Sequence, residues 1–240
     1  MPLPLQIFVS CEHASNRIPE PYRHLFAGRE TVLETHRGYD IGILAFAEAL
    51  AAAFNAPLLA ADVSRLIIDL NRSLASRTLF SEFTRPLPGK ERQVIIQRYH
   101  LPYWQAAEDI VAGITMRSRQ VLHLSVHSFT PVLKGKIRNA DIGLLYDPAR
   151  AAEKRWCLNW QSELLAGYPA LRIRRNYPYR GNADALVTAL RKRFDENSYL
   201  GIEVEINQRI PLEDRAHWQK LQQRLIASLR TFNRLSAAVK

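Results

Sequence analysis

Cysteine is nearly absent from this chain of 240 residues, which holds only Cys11 and Cys157. Two cysteines exclude a disulfide framework and any CxxC metal knuckle. Cys11 shares its period with the apolar Ile7/Val9 side of a strand and equally with His13, so periodicity leaves its side open. A free cysteine is usually a small buried residue, and Cys11 is read as one. No apolar run approaches the roughly 20 residues needed to cross a bilayer, which excludes a membrane-spanning helix. No Pro/Gly/Ser-rich linker or compositional break divides the chain, so residues 1–240 read as a single domain. The opening MPLPLQIFVS lacks the basic region of a removable signal and runs directly into a strand, so a cytoplasmic protein is expected. Acidic residues are outnumbered, with a formal net charge of +10, yet the basic ones form no stripe and no nucleic-acid-binding motif accompanies them. That charge suits solubility and the attraction of small acidic molecules into a positive cleft, not nucleic acid. Oligomeric state is not readable from this pattern.

What is present is a globular composition, 47% hydrophobic and 23% charged. Strand-like runs occupy Leu5–Ser10, Ala56–Ala60, Leu66–Leu70, Val121–Val126, Ile142–Tyr146, Ala170–Arg174 and Tyr199–Ile206. Helical patterns lie between them, over Gly38–Phe54, Glu91–Ser118, Ala149–Ala166, Ala183–Glu196 and Pro211–Ala237. Strands alternating with helices imply crossover connections, hence an α/β fold in three α/β/α layers around a mostly parallel sheet. Two stretches lack periodicity: the polar, basic loop between Asn71 and Lys90, and Arg174–Gly181, dense in arginine and tyrosine and able to close over a pocket.

His13, His127 and Glu205 fall where three apolar runs reach their carboxyl ends. Open α/β sheets bind ligands beyond those ends, so separate segments can deliver two histidines and a carboxylate to one crevice. Imidazole and carboxylate are ligands of catalytic zinc, and a further carboxylate commonly handles the proton of its water. Strand alternation puts His123, Ser125 and His127 on one face, with His127 the candidate ligand and His123 a core or supporting histidine. The same period groups Glu203, Glu205 and Asn207. Two carboxylates about 7 Å apart on an apolar strand are costly to bury without a cation or hydrogen bonds. Glu205 is the candidate general base and Glu203 the runner-up, with pairing to arginines as the structural alternative. Asp40, placed by periodicity at a helix start, reads locally as a first-turn or capping carboxylate. In DVSRLIIDLNRS, the planar fork of Arg65 or Arg72 can anchor an acidic substrate, or Asp69 simply pairs with one of them.

Taken together, SCEHASNRIP, HRGYDIG, DVSRLIIDLNRS, RYHLPY, HSFTP, NYPYRG and EVEINQR resemble the N-formylglutamate amidohydrolase family over nearly the whole chain. The resemblance implies a phosphorylase/hydrolase-like, zinc-peptidase-like fold similar to carboxypeptidases and bacterial peptidoglycan amidases, with one catalytic zinc. Carboxypeptidases place a glutamate ligand three residues after the first histidine, where this chain has Asn16. Peptidoglycan amidases instead take that ligand from a carboxylate at the start of the next helix, the place of Asp40. The implied ligands are therefore His13, Asp40 and His127, with His36 in reserve. Asn71-Arg72 resembles the Asn-Arg pair that carboxypeptidases use for the substrate carboxylate, and Arg65 and Arg180 are further candidates. Tyr146-Asp147 and Asn176–Gly181 are expected to line the pocket. The implied function is zinc-dependent hydrolysis of a small acidic N-acyl amino acid such as N-formylglutamate, with Glu205 moving the proton. A peptide or cell-wall-type amidase on the same scaffold, and a metal-binding protein without hydrolase activity, are the alternatives.

Overall fold

The computed structural model describes residues 5–117 and 119–238, with backbone alone from residue 232 onward. Its strands are β1 Leu5–Cys11, β2 Leu58–Ala60, β3 Gln120–Phe129, β4 Val132–Leu133, β5 Lys136–Ile137, β6 Ile142–Leu145, β7 Ile173–Arg175 and β8 Tyr199–Asn207. Six of them form one sheet in the order β2-β1-β3-β8-β6-β7. Neighbours run parallel except β6 against β8, where Ile142 pairs with Ile206 and Leu145 with Glu203. The short β4 and β5 make a separate hairpin that turns through Lys134 and Gly135 at positive φ. The mostly parallel α/β sheet is thus the one that the alternating pattern implies.

The period-2 patterning divides two cores across this sheet. Ile7, Val9, Cys11, Leu122, Leu124, Val126, Ile202, Val204 and Ile206 pack against the apolar faces of α1 (Ile43–Phe54), α4 (Ala151–Gly167) and α7 (Arg215–Ala238). In α1 the buried Ile43, Phe46, Ala47, Leu50 and Ala51 recur at helical spacing, which is why this segment folds as a helix against the sheet. Phe8, Val121 and Tyr199 face the other core with α3 (Leu101–Thr115) and α5 (Leu186–Arg193). Fully buried Cys11 belongs to the first core, as expected of a small apolar residue.

Several boundaries differ from expectation. The helix predicted from Gly38 starts at Ile43, preceded by Gly42 with φ of 78°, a backbone that favours glycine. The helix predicted over Glu91–Ser118 comprises α2 (Gly89–Ile95), a π-helical turn over Ile96–His100, and α3; Ser118 itself lies outside the described residues. The C-terminal pattern divides into α6 (Arg209–Glu213) and α7.

Leu66–Leu70 is not a strand. This apolar run is buried coil beneath Phe80 and Phe83. Its backbone groups are satisfied individually: Ser81 Oγ and Thr84 Oγ1 donate to the carbonyls of Leu66 and Ile67 at 2.5 and 2.9 Å, and Trp104 Nε1 donates to that of Leu70 at 2.8 Å. A short apolar run signals burial, and periodicity alone does not say which backbone accomplishes it. No helix among the described residues is long and apolar enough to cross a membrane.

Candidate metal centre

The adjacent parallel strands β1, β3 and β8 end at the same edge of the sheet, and their registers align the site. Ser10 pairs with Ser125, Ser125 with Glu203, and His127 with Glu205. His127 and Glu205 therefore stand side by side within their strands, not beyond them. β1 stops at Cys11, and the turn at Glu12-His13 carries His13 across to the same crevice. Asp40 arrives from the turn before α1, tied by a 2.9 Å bond from its N–H to the His13 carbonyl.

Asp40 caps no helix: α1 has no side-chain capping bond. Its Oδ2 instead accepts the Ser128 N–H at 3.0 Å and lies 3.1 Å from His127 Nδ1 and 3.6 Å from His13 Nδ1. Tertiary contacts have replaced the local capping role. Bond lengths near 2.0–2.1 Å put ligand atoms on a tetrahedral zinc about 3.3 Å apart, close to both separations. His13, Asp40 and His127 offer ligand atoms that all lie within 4.8 Å of one another.

Each imidazole is held from behind. His13 Nε2 lies 2.7 Å from Asp69 Oδ1, which leaves Nδ1 buried with no hydrogen bond. His127 Nε2 lies 3.0 Å from Glu12 Oε2, so its Nδ1 also faces Asp40. Both rings thus present the same nitrogen to one point. His36 is exposed outside this cluster, and Asn16 turns away to donate to Glu34 at 3.0 Å.

Five buried carboxylates meet here: Glu12, Asp40, Asp69, Glu203 and Glu205. Arg65 reaches Asp40 at 3.5 Å and Asp69 at 3.1 Å, while Glu12, Glu203 and Glu205 form no ion pair with an arginine or lysine among the described residues. Buried charge is costly unless compensated, so the donor set fits a divalent cation. Burial alone would raise Asp40, but the His13 and His127 imidazoles hold it well below the usual carboxylate range. Burial would lower His127, and the bonds to Asp40 and Glu12 on either side push it well above an ordinary imidazole. Glu205 has no such partner. Burial, with the Asp40 and Glu203 charges nearby, raises its carboxyl to about 8, and its Oε2 makes no hydrogen bond.

A cavity of about 170 Å³ opens beside these groups, lined also by Arg65, Asn71, Arg72, Tyr179 and Arg180. All four residues expected to bind substrate are therefore at its wall. Three of them are engaged: Arg65 with the acids, Asn71 with Glu203 Oε1 at 3.2 Å and, through its Oδ1, the Leu186 N–H at 2.9 Å, and Arg72 with backbone carbonyls. Arg72 spends one nitrogen on the carbonyls of Asn71 and Asp184, both at 2.8 Å, while the exposed Arg180 guanidinium has no polar partner among the described residues. Arg174 and Arg175 of the expected loop end β7, and the remainder, Asn176–Gly181, contributes Tyr179 and Arg180 and is pinned by Asn176 Oδ1, which accepts the Tyr146 and Gly181 N–H groups at 3.0 and 3.1 Å. Close approach demands glycine beneath it, since a Cβ on Gly143 would overlap the Tyr177 carbonyl.

The model of the family described as N-formylglutamate amidohydrolase matches residues 5–211. The chain belongs to this family. Among solved structures, a gene product of Agrobacterium tumefaciens is 26% identical with a TM-score of 0.78, covering 95% of this chain and 91% of its own. The N-formylglutamate amidohydrolase of Ralstonia eutropha is 20% identical with a TM-score of 0.72, covering 100% and 96%, and shows the fold. No curated protein matches the chain.

In this family member, sequence reasoning missed Glu12 and the second role of Asp69. Glu12 is fully buried, and although burial opposes it, His127 and the surrounding hydrogen bonds hold its carboxyl down at about 2. A usable signal existed: Phe8 and Ser10 share the face of His123 and Ser125 across the β1–β3 pairing, and Glu12, two residues after Ser10, reaches Ser125 and His127. Glu12 is as costly an acid to bury as Glu203 and Glu205, and it directly follows the apolar run IFVSC. Asp69 was legible only as an arginine partner, because nothing local says that it reaches His13.

Proposed function

We propose that this amidohydrolase-family chain hydrolyses the amide of a small acidic N-acyl amino acid, N-formylglutamate being the leading candidate, with zinc held by His13, Asp40 and His127. The observation that carries this is the convergence of two Nδ1 atoms and the Asp40 carboxylate beside an unpartnered buried carboxylate, Glu205. A bound divalent cation supplies positive charge that polarises an amide carbonyl and acidifies a water. Glu205 takes the proton of the attacking water and delivers it to the departing amine, a role suited to a carboxyl that burial has already made more basic. Glu203, which accepts a hydrogen bond from the Asn71 side-chain amide at 3.2 Å, is the second choice as base. Arg72 and Arg180 attract and orient the substrate carboxylate, while Arg65 and Asn71 stiffen the wall between them. The cavity of about 170 Å³ suits a small N-acyl amino acid better than a peptide or cell-wall strand. Both cysteines are free and buried, which agrees with a cytoplasmic setting.

The test is metal analysis of protein purified without chelators, coupled to a hydrolysis screen of N-formyl, N-acetyl and N-succinyl amino acids. Zinc near one equivalent and release of an acidic amino acid is the expected result. Bound zinc without hydrolysis of any of these would refute the small-substrate reading and leave an amidase of larger substrates or a metal-binding protein instead.

A further inference from the structure

Behind His127 runs a chain of buried polar groups with no exposure and no contact with the cavity. Tyr199 Oη lies 2.7 Å from His123 Nδ1, and His123 Nε2 lies 2.6 Å from Ser10 Oγ. Ser10 Oγ donates to Glu12 Oε1 at 2.5 Å, and Ser125 Oγ donates to Glu12 Oε2 at 2.8 Å. Every residue of the chain is completely buried, and Phe8 stacks on His123 at 4.3 Å between centroids. An apolar interior admits such a chain only where its hydrogens and acceptors match.

They match in one direction. Each serine has a single hydrogen, and both are spent on Glu12. Ser10 Oγ must then accept from His123 Nε2–H, so His123 Nδ1 accepts the tyrosine hydroxyl. At the other end, His127 Nε2 faces two acceptors, Glu12 Oε2 at 3.0 Å and the Ser125 oxygen at 2.9 Å. The Asn71 amide nitrogen also lies 3.3 Å from it, but has Glu203 as its acceptor.

We infer that Glu12 is a positioning residue of the metal centre: backed by Ser10, Ser125, His123 and Tyr199, it keeps a proton on His127 Nε2 and so presents His127 Nδ1 to the cation. This rests on the proposed ligand set. Asp69 does the same for His13, but it answers to Arg65 as well. Glu12 serves His127 from the interior, and Glu12→Gln breaks the match. An amide at that position brings hydrogens of its own to Ser10 or to His127, and either forces the Ser10–His123 chain to reverse or offers His127 Nε2 a donor. Carboxylates that orient metal-bound histidines typically contribute 10- to 100-fold to affinity, and that is about the loss expected here.

The test uses zinc-loaded protein labelled with ¹⁵N in its histidines. The wild type is expected to show His127 protonated on Nε2 and coordinated through Nδ1, and titration of the metal-free Glu12→Gln variant is expected to give a zinc dissociation constant about 10- to 100-fold weaker. Zinc bound through His127 Nε2, or unchanged affinity in a folded variant, would overturn the inference while leaving the metal centre intact. If the wild type binds no zinc, the ligand set itself falls, and the role of Glu12 with it. Should the variant not fold, the wild-type spectrum alone decides between the two nitrogens.

Discussion

Replacing Asp40 by asparagine separates a ligand from a turn brace more sharply than any other change. In the Asp40→Asn variant the amide oxygen can still accept the Ser128 N–H that Asp40 Oδ2 accepts at 3.0 Å, and no helix cap is at stake. What disappears is the negative charge shared by His13 and His127. Losing a ligand should weaken zinc by at least about 100-fold, the upper end of what loss of an orienting partner alone costs. At free zinc 100 times the wild-type dissociation constant, binding stabilises the wild type by about 2.7 kcal/mol but a variant weakened 100-fold by only about 0.4 kcal/mol. For a chain of this size the difference corresponds to roughly 5–9 °C in the zinc-dependent rise of Tm. Scanning calorimetry with and without zinc reads it directly. A variant whose melting temperature rises with zinc as much as that of the wild type would refute the ligand role.

Three further changes probe other parts of the molecule. Glu205→Gln should keep zinc content and lose hydrolysis by at least about 100-fold, as expected when a general base is removed, whereas this phenotype in Glu203→Gln alone would reassign the base. Gly143→Ala should cost about 1–3 kcal/mol in chemical denaturation, because the added methyl overlaps the Tyr177 carbonyl and displaces the loop that bears Tyr179 and Arg180; an unchanged midpoint would show that this loop yields freely. Asp141, away from the cavity, is drawn below its ordinary range by Arg172 and Arg209 although burial opposes them. A depressed folded-state value means that its stabilisation is present above the unfolded pKa near 3.9 and lost as pH falls through the folded one. Asp141→Asn should therefore flatten the acid limb of the stability curve below about pH 4, and an identical limb in both proteins would count against the ion cluster.

Legibility followed the range of the interactions involved. His123, Ser125, His127, Glu203 and Glu205 could be sorted onto strand faces because alternation is a local property of extended backbone. The same rule is silent on the turn after β1, at Glu12-His13, that carries His13 to the site. It also made Leu66–Leu70 a strand, where side chains of Ser81, Thr84 and Trp104 satisfy the backbone instead of a ladder.

By itself, the sequence determined the α/β class, the mostly parallel sheet and the candidate set of two histidines and strand-borne acids, because hydrophobic period and residue chemistry are written along the chain. The tertiary structure decided the rest. It brought Asp40, which reads locally as a helix cap and only by family resemblance as a ligand, to the Nδ1 atoms of His13 and His127, placed Glu12 and Asp69 behind those rings, and engaged Arg65 and Asn71 in the cavity wall. Each depends on which atoms from distant segments come within about 3 Å of one another, a distance set by strand register and turn geometry that no local pattern encodes.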